Sequence, residues 1–327
     1  MAIQNIHNQA ALLVLISGLA LVAQSVIAQS SSDSSGIPRM PDGHPDLQGT
    51  WDFRTITPMQ RPAAFGEKTV VSLEEAEIFE AEENVRRDRD NFTDTTTTGD
   101  YNQFWYDRGT ELLDDRRTSL ITSPADGRIP PITEAARALQ REIGEVRQLA
   151  IGVEARPLSE RCIMGFNSGP PMTPSAYNNN VQLVQTPDHF LIHNEMVHNV
   201  RVVKMNTTEH REIPRKWEGD SIGHWEGDTL VIETDYFARA TAFRNSSANM
   251  HLVERFSMID ADTIAYEFTI EDPTTWTAPW TAMFPLRRAD LPMYEYACHE
   301  GNYSMAGVLG GWRRLEQIAA QEAAAAN

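Results

Sequence analysis

The chain has 327 residues, a formal net charge of −18 and only two cysteines. So large an acidic excess, with no basic cluster to offset it, argues against nucleic acid and anionic membrane surfaces as partners. Less any N-terminal leader, the chain would keep roughly 300 residues, enough for one large domain or a domain with a helical annex.

Residues 1–29 contain no Lys, Arg, Asp or Glu, and 11–28 are apolar apart from Ser17, Gln24 and Ser25. Val26 and Ala28 stand where a signal peptidase reads, just before Gln29. The pattern predicts a secretory signal peptide over 1–28 and a mature protein of the periplasm or the exterior, with no membrane attachment after cleavage. The rival is an uncleaved anchor, since about 18 apolar residues can just span a bilayer. Residues 29–40 read as a flexible lead-in, 41–320 as a single domain and 321–327 as an alanine-rich tail.

Within that domain, Gly49-Thr50-Trp51 opens the first strand. Ser72-Leu73-Glu74-Glu75 is a capping box that predicts a helix to about Arg87. A polar, threonine-rich loop follows over 88–100. A second helix is expected after Pro130-Pro131, capped by Thr133 and striped with Leu139, Ile143 and Val146. Helical insertions therefore fall between about 72 and 150, where they plug or flank a sheet.

The second half reads as successive hairpins. Residues 181–185 pair with 190–203 across Thr186-Pro187-Asp188. Residues 221–225 and 229–234 flank Glu226-Gly227-Asp228. Residues 251–258 pair with Thr263–Glu271, where Ile264, Tyr266, Phe268 and Ile270 alternate with polar neighbours. Hairpins without intervening helices predict a mainly β chain, an antiparallel barrel with helical additions in its N-terminal half.

Two segments concentrate chemistry. Residues 189–201 carry His189, His193, Glu195, His198 and Arg201. On one regular strand His189, His193, Glu195 and Arg201 share a face, with His198 opposite unless a bulge re-aims it. Residues 293–303 carry Tyr294, Tyr296, Cys298, His299, Glu300 and Tyr303. Glu195 or Glu300 would serve as base, His193, His198 or His299 as acid, and Arg201 as the partner of developing negative charge. Tyr303, Tyr296, Trp105, Tyr177 and Asn178 would line the ligand. A bland alternative stands beside each: a solvated stripe, half-buried strand tyrosines, aromatic core, turn asparagines. A metal held by His193, Glu195, His198 and His299 is a further alternative, although no helical zinc motif is present. Cys162 and Cys298, an even pair in an exported chain, predict a disulfide, the alternative being a reactive Cys298 beside His299.

Residues 41–51 (PDGHPDLQGTW), 101–109 (YNQFWYDRG), 117–131 (RTSLITSPADGRIPP), 223–234 (GHWEGDTLVIET) and 294–303 (YEYACHEGNY) span nearly the whole mature chain. Together they resemble a family of exported, largely uncharacterised bacterial proteins. Gly49-Thr50-Trp51 also resembles the opening of lipocalin-like barrels. No Gly-x-Ser-x-Gly elbow, Walker loop or dinucleotide fingerprint is present. The leading expectation is a cofactor-independent lyase, isomerase or hydrolase acting on a small organic molecule. Glu195, Arg201 and His299 would converge in a cavity inside the barrel. The alternatives are a non-catalytic lipocalin-type binding protein and a cell-envelope interaction module.

Overall fold

The structure is a computed structural model that describes residues 31–32, 36–91, 102–147, 152–210, 214–238, 243–290 and 292–325. The expected signal peptide, cleavage point and most of the threonine-rich loop lie outside them. Ten strands form the main sheet: β1 (Gly49–Asp52), β2 (Ile121–Ser123), β3 (Asn180–Gln185), β4 (His189–Asn194), β5 (Val200–Met205), β6 (Asp220–Glu226), β7 (Thr229–Asp235), β8 (His251–Asp260), β9 (Thr263–Glu271) and β10 (Trp280–Arg288). Nine of them close a ring in the order β1-β3-β4-β5-β6-β7-β8-β9-β10 and back to β1.

The mainly β barrel is as expected, with one departure. All neighbours in the ring are antiparallel except β5 and β6, which run parallel through Lys204↔Ile222 and Met205↔Gly223. A closed ring of nine strands cannot alternate direction throughout, so one parallel pair is unavoidable. Here β5 and β6 supply it. β2 lies outside the ring and pairs with the start of β10, while short β1 pairs with its end.

The hairpin between β4 and β5 corrects a second expectation. Residues 190–203 are not one strand. The chain turns at 195–199, and both Val197 (φ 60) and His198 (φ 39) sit in left-handed conformations. The turn resets the parity: Ile192 pairs with Arg201, and both point inward with Asn194 and Val203, while His189 and His193 stay outside.

The bore is packed with side chains. Phe256 on β8, Tyr266 and Phe268 on β9, Trp280 and Phe284 on β10, Phe190 on β4 and Trp51 on β1 are each no more than 1% exposed. A barrel of about eight strands is only just wide enough for its own side chains or one small ligand, and here aromatic rings take the space. Closure at the seam explains Gly49-x-Trp51. The Arg288 guanidinium lies 4.3 Å over the Trp51 ring. A Cβ at residue 49 would meet Arg288 Nη1 at 2.7 Å, and φ there is +132°.

Helices α1 (Leu73–Arg87) and α2 (Glu134–Arg147) form where expected, and α1 carries the full Ser72–Glu75 capping box. A third helix, α3 (Ser304–Ala325), runs into the alanine-rich stretch, with only Leu309 buried. Residues 292–300 form neither strand nor helix. Among the described residues no helix is long and apolar enough to cross a membrane.

One end of the barrel, here called the upper end, is closed by the loop at 163–174. Met172 is fully buried there, and its N–H donates to the Tyr266 hydroxyl at 3.1 Å. Asn194 Nδ2 donates to the Ser168 carbonyl at 3.0 Å. The Cys162–Cys298 disulfide, with Cα atoms 5.7 Å apart, ties the start of this loop to the segment that leads into α3.

Candidate functional site

Arg201 is inside the bore, but its partner is not Glu195. Its Nη2 donates to Glu254 Oε1 at 2.8 Å and its Nη1 to Glu254 Oε2. The Tyr266 hydroxyl donates to the same Oε1 at 2.6 Å. Arg201 is 4% exposed, and Glu254 and Tyr266 are fully buried. Burial, with the Glu254 charge adding to it, drives the Tyr266 phenol well above its ordinary pKa. Glu254 holds the Arg201 guanidinium in its charged form against desolvation. The three groups satisfy one another without room for a substrate, which makes this cluster part of the core.

Glu195 sits at the turn between β4 and β5, where it is 4% exposed. Asn180 Nδ2 donates to its Oε2 at 2.8 Å, and the Tyr294 N–H to its Oε1 at 3.4 Å. His198 is exposed, with Nδ1 3.0 Å from the Tyr296 carbonyl. A carbonyl only accepts, so that nitrogen carries the hydrogen. Half-buried His193 lies against Gln182, and desolvation, then the nearby His198 charge, lowers its pKa. Tyr296 packs with Cys162, Met196, Val197 and Cys298.

Glu195, His193, His198 and Tyr296 thus gather at one rim of the barrel. The expected convergence with Arg201 and His299 inside it does not occur. His299, Glu300 and Tyr303 are exposed, Tyr303 by 86%. Their segment is held by the disulfide, by Tyr296 and by Asn302, whose Nδ2 donates to the Glu160 carbonyl at 2.9 Å, while these three side chains face solvent. Trp105 is exposed and stacks edge-on against Phe104. Tyr177 packs between Tyr106 and Phe166. Asn178 adopts φ 52, and its carbonyl accepts from Asn167 Nδ2 at 3.0 Å. Among the described residues no group of three or more His, Cys, Asp or Glu side chains is placed to hold a metal ion.

A large concavity lies outside the bore. A cleft of about 840 Å³ opens at the upper end, between α2, the segment that precedes Cys162, and the loop that joins β7 to β8. One wall is the α2 stripe of Leu139, Ile143 and Val146, all half-buried. Met164 and Phe166 add to the apolar lining, and Phe166 is 47% exposed. The far wall carries Phe243, Arg244 and Ser246. Phe243 anchors that loop by stacking on Trp280 and packing edge-on against Phe268. Asp272 holds it from below, accepting from the Ser247 N–H at 2.7 Å and its hydroxyl at 2.9 Å.

The charges of this cleft were not anticipated. Arg244 has φ 49, a left-handed backbone that costs a non-glycine residue about 1–2 kcal/mol. Its side chain is accessible, yet surrounding protein desolvates it enough to lower its pKa. Water contact and desolvation coexist where a group stands on a concave wall. Among the described residues no carboxylate pairs with Arg244 or with Arg161, another lining residue. Arg156 is bound to Glu160 at 2.7 Å. Glu254 could have been found in the sequence as an acid on the apolar stripe of Leu252 and Phe256. Arg161 and Arg244 lie in irregular segments, where no periodicity marks them.

Comparison with family models, with curated proteins and with solved structures finds no match for this chain.

Proposed function

We propose that the protein binds a small amphipathic molecule in the cleft at the upper end of the barrel. One observation carries this reading: the cleft of about 840 Å³ is walled by the half-buried apolar stripe of α2 and by the exposed ring of Phe166, while the bore is filled by its own aromatic side chains. A volume in this range, mostly apolar with a few polar groups, suits a drug-sized ligand. It relocates the binding alternative, because a lipocalin-type protein would use the bore. The amphipathic α2 also gains a purpose, since a helix face left half-open beside a cavity is available to a ligand.

Calorimetric titration with a panel of small aromatic amphiphiles tests the reading. It expects one saturable site per chain that is lost in Ile143→Glu, which places a charge on the apolar wall. Saturable binding that survives in a folded Ile143→Glu variant would move the site elsewhere, and no saturable binding by any member would overturn the proposal.

A second reading is acid–base catalysis at the rim occupied by Glu195, His193, His198 and Tyr296. Val197, a β-branched residue at φ 60, favours it, since backbone strain of roughly 1–3 kcal/mol is typically retained at functional sites. Lowering of the His193 pKa by burial would supply a neutral imidazole base. The neutral form alone, without a positioned substrate, makes this the weaker reading.

Export belongs to the proposal too. A disulfide suits an oxidising compartment, and the apolar run at 11–28 suits a cleaved leader. The intact mass of natively produced protein should lack residues 1–28, and a mass that retains them would contradict cleavage.

A further inference from the structure

We infer that the ligand of the upper cleft is an organic monocarboxylate with an apolar, aromatic-sized body, its carboxylate held by Arg244 and Arg161 and its body lying on Ile143, Val146 and Phe166. The inference rests on the ligand-binding reading above and specifies its chemistry.

Three observations lead to it. The first concerns Arg244. A guanidinium offers a planar fork of donors that matches a carboxylate bidentately. Several arginines of the barrel have acids: Arg201 with Glu254 in the bore, and Arg255 with Glu226, Arg287 with Asp114 and Arg288 with Asp262 at its surface. Arg244 and Arg161 have none among the described residues. An unpaired guanidinium in open water is unremarkable, but one desolvated by a concave wall is short of a counter-charge.

The second is the way these arginines are positioned. Phe243 fixes the Arg244 loop against Trp280 and Phe268, and Asp272 ties it down one residue past Ser246. Arg161 immediately precedes Cys162, whose disulfide and whose N–H to the Ser159 carbonyl (3.2 Å) pin the turn. Two otherwise flexible cations are therefore held in the lining of one cavity, which lowers the entropy lost when an anion binds. Beneath them, the Ser246 hydroxyl is buried with no hydrogen-bond partner.

The third is the balance of charge and surface. Glu142 and Glu154, the acids of the lining, are both exposed, so water satisfies them. They still limit the positive potential of the cleft, which favours a singly charged anion over a dianion such as a phosphate monoester. The opposite wall is apolar and includes the accessible ring of Phe166, so an inorganic anion would leave most of the surface uncovered.

Calorimetric titration of the disulfide-bonded protein with 4-phenylbutyrate and with its uncharged amide, 4-phenylbutanamide, tests the inference. The carboxylate should bind roughly tenfold or more tightly than the amide, the range of a charge-assisted hydrogen bond. Arg244→Gln should remove most of that preference. Arg161→Gln should remove a smaller part, and it provides an independent variant if Arg244→Gln does not fold. Equal affinity of the two probes for the unaltered protein overturns the carboxylate inference and leaves the ligand-binding reading standing. A full carboxylate preference that persists in both folded variants overturns the assignment to these arginines. Binding of neither probe at millimolar concentration overturns the binding reading itself, and this inference with it.

Discussion

Arg201 in the bore and Arg244 in the upper cleft present the same guanidinium in opposite settings. Arg201 is sealed from water, and its acid, Glu254, is sealed with it; Tyr266 completes the hydrogen bonding. Arg244 is open to water in a concave wall and has no acid among the described residues. The difference separates structure from recognition. A buried charge with every partner present has nothing left to offer a ligand. A desolvated charge without a counter-charge beside an apolar wall has a place that an anionic ligand can fill. The same contrast holds for the surrounding surfaces, one packed with aromatic rings and the other half-uncovered.

The largest effects are expected where the comparison is broken in the bore. Arg201→Met and Glu254→Leu should each lower stability by about 3–5 kcal/mol, because each leaves the other member of the buried pair without its counter-charge. The double replacement Arg201→Met with Glu254→Leu should recover most of the loss. Urea unfolding of the four proteins in a double-mutant cycle checks this. Two single variants of near-normal stability would show that the pair is not sealed as described. The folded double variant should keep its affinity for 4-phenylbutyrate, since the bore is not the site.

Next in size is the disulfide. Cys162→Ala with Cys298→Ala should cost about 2–4 kcal/mol through the long loop it closes. It should also weaken ligand binding, because Arg161 and the 163–174 loop lose their tether. Thermal unfolding and titration of the same variant check both, and an unchanged affinity would detach the cleft from the bridge. Smaller still is Ser72→Ala, which removes the α1 cap accepting from the Glu75 N–H at 3.1 Å. It should cost about 1 kcal/mol and leave binding untouched, as α1 does not line the cleft.

The smallest effect concerns pH. A hydrogen bond to Asp235, opposed by desolvation, raises the His251 pKa above its ordinary value. Its contribution is therefore fully present below about pH 6.5, the ordinary histidine value, and is lost as pH rises through the raised folded value. His193, whose folded pKa is depressed, acts with the opposite sign: its contribution is present above the ordinary value and lost as pH falls through the depressed one. His251→Gln should flatten only the loss on the alkaline side. Unfolding curves between pH 5 and 8 that keep that slope in the variant would assign it to another group.

Much of the barrel was legible because alternation is a local signal. Ile264, Tyr266, Phe268 and Ile270 announce their inward face directly, and Ser72 to Glu75 announces α1. The turn at 195–199 was not legible, since no glycine or proline marks it and Val197 is a poor left-handed residue. Reading through it as one strand placed Arg201 beside Glu195, when the turn sends Arg201 inward to Glu254, 53 residues away in sequence. The disulfide was legible from compartment and count. The cleft was not. Its α2 stripe was read as packing support, and its arginines come from irregular segments brought together only by the tertiary fold.

The most direct test of the account is a crystal structure of the protein with 4-phenylbutyrate bound. The account predicts density in the upper cleft, the carboxylate within hydrogen-bond distance of Arg244 and the ring against Ile143 and Phe166, with the bore unchanged around Tyr266. Density for the ligand inside the bore, or at the Glu195 rim with the cleft empty, would contradict it.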